Sequence, residues 1–204
     1  MSIRALIFDL GRTLVPFEPE RGLAAWSRLS GHAPEEVRSR FVDSGLYPRY
    51  ERGELTTAEF EAAVKELLEC EVSREEFAMA WSAIFLPETL VEEEWLEQWR
   101  KRYRLVLLSN TNELHFRYIE ERYPVVRHFD EYVLSYEVGA MKPDERIYRA
   151  AVKAAGCEAE ECFFTDDIEE YVEGARGYGI QVARFEGAAE LRRELERRGV
   201  RLDE

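Results

Sequence analysis

Four places in the 204-residue chain carry side chains suited to polar chemistry, and each follows a short apolar run. They are Asp9, the pair Ser109-Asn110, Lys142 in the loop beyond Ser135, and the pair Asp166-Asp167. A carboxylate able to attack, two more able to hold a hard cation, a hydroxyl donor and a fixed ammonium are the parts phosphoryl transfer requires. Each residue taken singly also suits an ordinary structural job. Asp9 fits a turn, Ser109 and the aspartate pair fit helix caps, and Lys142 fits a solvated surface. What favours chemistry is where the chain must place them.

Residues 3–8, Ile-Arg-Ala-Leu-Ile-Phe, form a short apolar run closed by Gly11, which predicts a central strand of a parallel sheet. Strands are predicted again over 104–108, 131–134, 161–165 and 180–185. They alternate with helices through Trp95 and Trp99, over 144–155, over 169–177, and finally up to Arg198. That rhythm is an α/β doubly wound, Rossmann-like parallel sheet, and such sheets bind ligands beyond the carboxyl ends of their strands. All four polar groups fall at such ends and converge on one rim.

Between the first strand and the rest, residues 18–87 carry only helical periodicity, over 22–29, 34–42, 57–70 and 74–85. Thr56 with Glu59 and Ser73 with Glu76 match the capping box, in which side chain and backbone NH satisfy each other reciprocally. The expected organisation is a core of residues 1–15 and 88–204 with an inserted all-helical cap, 16–87. The segment Tyr47-Pro48-Arg49-Tyr50-Glu51-Arg52-Gly53 reads either as an interhelix turn or as a loop that overhangs the rim and touches substrate.

A net charge of −14 and a pI near 4.9 argue against a nucleic-acid partner, which would call for clustered positive charge. Cys70, Cys157 and Cys162 are spaced for neither a disulfide framework nor zinc, so reduced thiols are expected. No apolar stretch approaches the roughly 20 residues of a membrane span, and no signal-peptide pattern opens the chain, so a cytoplasmic location without membrane attachment is the expectation. His32, His115 and His128 share no spacing and read as structural; Trp26, Trp81, Trp95 and Trp99 fall on apolar helix faces and read as packing.

In order and spacing, Phe8-Asp9-Leu10-Gly11-Arg12-Thr13-Leu14, Leu108-Ser109-Asn110-Thr111-Asn112, Gly139-Ala140-Met141-Lys142-Pro143 and Phe163-Phe164-Thr165-Asp166-Asp167 resemble the four motifs of the haloacid dehalogenase-like hydrolase superfamily. The helical insert resembles that family's C1-type cap. Glu51-Arg52-Gly53-Glu54 with the second and third motifs looks closest to bacterial sugar-phosphate phosphatases of the α-D-glucose-1-phosphatase kind. The resemblance implies a Mg²⁺-dependent phosphatase of a small phosphorylated metabolite. Asp9 would be the nucleophile that forms an aspartyl-phosphate. Asp9, the Gly11 carbonyl, Asp167 and Asp166 would hold Mg²⁺. Ser109 and the Asn110 backbone NH would bind the phosphoryl group, Lys142 would neutralise charge, and Thr13 would support the Asp9 loop.

Two departures from the family pattern stand out. Gly11 replaces a common second Asp that acts as general acid and base, a role worth about 10²–10⁴ in rate. Its absence favours substrates with a stable leaving group, such as anomeric sugar phosphates. Tyr171 replaces an Asp or Asn of the fourth motif. Two rival readings follow from the same residues: a metal-independent 2-haloacid dehalogenase, and a catalytically silent binding module.

Overall fold

The computed structural model describes residues 2–202. Its central strand, β1 (Ala5–Phe8), is buried along its whole length. A strand covered on both faces must be apolar on both, and this one is. Leu6 and Phe8 enter one layer with Leu105, Leu107 and Phe163, while Ala5 and Ile7 enter the other with Val106, Leu108 and Phe164. Strands β2 (Arg104–Ser109), β3 (Glu131–Leu134), β4 (Cys162–Asp166) and β5 (Gln181–Arg184) complete an all-parallel sheet in the order β3-β2-β1-β4-β5. The chain therefore extends the sheet to one side of β1 and then returns to extend it on the other. Connections leaving β1 and β4 diverge at that reversal and open a crevice.

The first five helices after β1 are α1 (Pro19–Ser30), α2 (Pro34–Ser44), α3 (Leu46–Glu51), α4 (Thr57–Leu67) and α5 (Arg74–Ser82). Proline opens α1 and α2, and Gly31 and Gly45 close them in the left-handed conformation that glycine adopts without a steric cost. Both predicted capping boxes are present, each side-chain cap contributing about 1 kcal/mol. These helices bury a core of their own built on Trp26, Tyr50, Phe60, Phe77 and Trp81. The rings of Tyr50 and Phe60 stack with centroids 4.1 Å apart. The segment enters and leaves at adjacent points, where Phe17 and Phe85 form an antiparallel bridge with their rings edge to face.

The remaining helices are α6 (Glu93–Arg100), α7 (Glu113–Arg122), α8 (Ser135–Val138), α9 (Glu145–Ala155), α10 (Glu169–Gly177) and α11 (Ala188–Arg197). Helix α7 is absent from the sequence reading, and the structure gives the reason. Its buried face includes His115 beside Phe116 and Ile119, so apolar periodicity does not mark it. The 57–70 helix stops at Leu67, with Glu69 at a positive φ of 52°. The cysteines are free, as expected. No helix among the described residues is long and apolar enough to cross a membrane.

Candidate active site

Strand register sets the first pair of groups. Phe8 lies opposite Thr165, so the next residues on the two strands, Asp9 and Asp166, stand side by side at the rim. The Asp9 backbone NH donates to the Thr165 carbonyl at 3.0 Å and carries the pairing one step further. Into this gap the loop between α8 and α9 inserts Lys142. Its ammonium is buried, 2.6 Å from Asp9 Oδ1 and 2.5 Å from Asp166 Oδ2, and it also donates to the Leu108 carbonyl at 3.3 Å. Asn110 fixes the lysine backbone at two points. Its Oδ1 accepts from the Lys142 NH at 2.7 Å, and its Nδ2 donates to the Lys142 carbonyl at 3.1 Å. The rings of Tyr171 and Phe164 face the same ammonium, with centroids 5.2 and 5.6 Å away.

Burial pushes the Asp9 carboxyl above its ordinary range; Lys142 opposes that push and Asp166 adds to it. Half-buried Asp167 is raised by desolvation and by Asp166. For Lys142, burial works to release its proton, but the attraction of Asp9 and Asp166 outweighs it and holds the side chain charged. Asp9, Asp166 and Asp167 present carboxylate oxygens that all lie within 4.8 Å of one another. Three carboxylates around one buried ammonium, with the Arg12 guanidinium beside Asp167, carry a surplus of negative charge when ionised. An all-oxygen donor set with that surplus fits Mg²⁺, which takes few protein ligands and keeps water for the rest.

A cavity of about 230 Å³ opens onto these groups. Of the residues singled out from the sequence, Asp9, Gly11, Asn110, Lys142, Asp166 and Asp167 all line it. Ser109 does not. It is buried at the end of β2, its hydroxyl contacts the Asn110 carbonyl at 3.4 Å, and Asn110 takes the facing position. The Thr13 hydroxyl is buried with no hydrogen-bond partner, so the expected support of the Asp9 loop does not come from it.

Five further wall residues were not assigned from the sequence: Arg12, Phe17, Tyr47, Glu51 and Ile168. Arg12 has a left-handed backbone (φ 57°), which lays its guanidinium 4.7 Å from the centre of the Phe17 ring and near Asp167. The Phe17 ring in turn fills the space over Gly11, where an added Cβ would meet a ring carbon at 2.8 Å. Tyr47 and Glu51 come from α3, so the ambiguous 47–53 segment is a short helix on the cavity wall rather than a surface turn. The usable signal was Gly53, whose φ of 68° and contact with the Tyr136 carbonyl of α8 leave no room for a Cβ and dock α3 on the core. His115 is structural, as expected. Its ring bonds the Asn112 side chain at 3.1 Å and the Trp81 carbonyl at 3.0 Å, and burial lowers its pKa to about 4. A second cavity, of about 300 Å³ among α1, α2 and α5, is lined mainly by apolar and aromatic side chains and lacks such a set of groups.

Comparison with known proteins agrees with this geometry. Residues 3–179 match the family model of the haloacid dehalogenase-like hydrolases. A D-ribitol-5-phosphate phosphatase of Bacteroides thetaiotaomicron is 27% identical over 200 residues, covering 95% of this chain and 97% of its own. A phosphatase of Mycobacterium tuberculosis is also 27% identical, covering 100% of this chain and 98% of its own. Among solved structures, a Bacteroides thetaiotaomicron enzyme in complex with magnesium and inorganic phosphate superposes with a TM-score of 0.82 at 28% identity, over 90% of this chain and 94% of that one. With its family-model match, parallel sheet and rim of carboxylates around a lysine, the chain belongs to the haloacid dehalogenase-like hydrolase family.

Proposed function

We propose that the protein is a Mg²⁺-dependent phosphatase of a small phosphorylated metabolite, a sugar or sugar-alcohol phosphate, working through an aspartyl-phosphate on Asp9. The observation that carries this reading is the buried Lys142 ammonium shared between Asp9 and Asp166, beside a third carboxylate. An attacking carboxylate must approach a phosphate dianion, and in a site of low dielectric that repulsion is large unless fixed positive charge offsets it. Lys142 is held for that purpose, its backbone clamped by Asn110. The Asn110 backbone NH, on the cavity wall, is the donor to a phosphoryl oxygen, and Ser109 packs beneath it. Asp9, Asp166, Asp167 and the Gly11 carbonyl would hold Mg²⁺, which when bound supplies Lewis-acid neutralisation of the phosphoryl group.

In the first step an Asp9 oxygen attacks phosphorus and the bond to the leaving oxygen breaks. In the second, water displaces Asp9 from phosphorus and restores the carboxylate. The helical segment of residues 16–87 acts as a cap, with α3 forming its part of the wall, and closure would exclude bulk water during transfer. Anomeric sugar phosphates ask least of a proton donor, because their leaving oxygen is more acidic than a primary alcohol. A relative that acts on ribitol 5-phosphate supports the small polyhydroxylated substrate class.

Phosphate release from glucose 1-phosphate, glucose 6-phosphate and ribitol 5-phosphate, with Mg²⁺, with EDTA and with Asp9→Asn, tests the proposal. Release that needs Mg²⁺ and disappears in Asp9→Asn is expected. Halide release from a 2-haloacid in EDTA would instead select the dehalogenase reading, and turnover unaffected by Asp9→Asn would remove Asp9 as nucleophile.

A further inference from the structure

A phosphatase with glycine at position 11 lacks an acid on the β1 loop, and the structure shows that the gap is not open space. The Phe17 ring crowds it, with a carbon 2.8 Å from where a Cβ would stand. A proton donor must therefore come from elsewhere on the cavity wall. Besides Asp9, Asp166 and Asp167, which face Lys142 or the cation site, one carboxyl lines the cavity, and it belongs to Glu51.

Glu51 is only 5% exposed, although it sits at the end of the six-residue helix α3. Its near neighbour Glu54 is the ordinary case, at the surface and paired with Arg52 at 2.7 Å and Arg49 at 3.4 Å. Glu51 forms no ion pair among the described residues. The groups that face it are the Tyr47 phenol, Lys142 and Arg52, with Tyr171 beyond them. A buried carboxyl without an ion pair favours its protonated form, and burial pushes Glu51 up to about 7 against Tyr47 and Lys142. A carboxyl poised near neutrality is the kind that can give a proton and then take one back. Its direction of approach also suits the task. Asp9 enters from the sheet rim, Glu51 from the helical side, and in-line displacement sends the leaving oxygen away from the nucleophile.

Resting on the phosphatase reading, we propose that Glu51 is the catalytic acid and base that position 11 does not provide. As the bond from phosphorus to the leaving oxygen breaks, its electron pair stays on that oxygen, which takes the proton from the Glu51 carboxyl and departs as an alcohol. The Glu51 carboxylate then removes a proton from water while the water oxygen bonds to phosphorus. The bond from phosphorus to Asp9 breaks, returning the Asp9 carboxylate, and phosphate leaves with Glu51 protonated again.

Glu51→Gln separates this role from a merely structural one. Two probes suffice with Mg²⁺: p-nitrophenyl phosphate, whose leaving group needs no acid, and whichever of ribitol 5-phosphate, glucose 6-phosphate or glycerol phosphate the wild type hydrolyses fastest. On the alkyl ester, kcat is expected to fall by about 10²–10⁴ with no burst. On p-nitrophenyl phosphate, the first turnover should slow by far less and release a burst approaching one equivalent of p-nitrophenol, followed by slow turnover as aspartyl-phosphate accumulates. Glu51→Asp should restore part of the alkyl-ester rate. An equal loss on both esters without a burst, a change confined to KM, or no loss at all would overturn the role of Glu51 while leaving the phosphatase intact. A wild type that hydrolyses glucose 1-phosphate but neither of these esters would overturn the role of Glu51, and one that hydrolyses none of the three would bring down the phosphatase reading itself. A thermal melt of Glu51→Gln no lower than wild type shows that the loss is not one of folding.

Discussion

A carbon of the Phe17 ring stands 2.8 Å from where any residue other than glycine at position 11 would place its Cβ. The glycine is thus matched to its surroundings, and restoring the family's usual acid does not restore its chemistry. Gly11→Asp is expected to cost about 1–3 kcal/mol of stability through overpacking and to leave turnover no higher than wild type. Adding Phe17→Ala should recover part of that stability by opening the space. Urea unfolding of the two variants checks this, and a Gly11→Asp protein as stable as wild type and faster would contradict it. Individual residues were legible in the sequence to the extent that their backbone positions fixed them. Asp9 and Asp166-Asp167 follow from strand ends, whereas Lys142 lies farther on, in the loop between α8 and α9. The burial of Ser109 beside the Asn110 carbonyl does not follow in this way, because it depends on how the chain leaves β2. Glu51 was equally hidden, since its burial arises from docking α3 on α8 and from nothing in its own neighbourhood along the chain.

Helices α5 and α7 meet through His115, which donates or accepts at both ring nitrogens within a buried contact to Asn112 and Trp81. Its folded pKa of about 4 lies below the ordinary 6.5, so between those values the unfolded chain binds a proton that the folded one does not. Stability from this contact is complete above pH 6.5 and is lost as the pH falls toward 4, by about 3 kcal/mol. Glu51 and Asp9 act in the opposite sense, because their raised carboxyls take up protons in the folded state first. The total curve is therefore not diagnostic. The difference in unfolding free energy between wild type and His115→Gln, measured from pH 7 to 4 in EDTA, isolates the histidine. A difference that stays flat would refute its neutral burial. At this scale the sheet, the Rossmann-like order and both capping boxes could be read from periodicity and cap residues. Helix α7 could not, because a polar ring stands in its buried stripe, nor could α3, which begins within a turn signature and contains Pro48.

Lys142 and Asp9 are 133 residues apart in sequence, so their contact exists only when the sheet is assembled. The surplus negative charge of the three carboxylates exists only then as well, and binding of Mg²⁺ is linked to the global folding equilibrium. At free Mg²⁺ about 100-fold above its dissociation constant, the folded state should gain roughly 2.7 kcal/mol. For a chain of this size that corresponds to an increase in Tm of about 5–10 °C. Asp167→Asn should reduce the shift, and a wild-type melt indifferent to Mg²⁺ would argue against the cation site. The bridge between Phe17 and Phe85 has a mechanical consequence at this same scale. Phe17 and Phe85 hold each other where the helical segment enters and leaves, and the Phe17 ring also packs over Gly11. A substitution that frees the Phe17 ring from Phe85 therefore also loosens the packing over the nucleophile's loop.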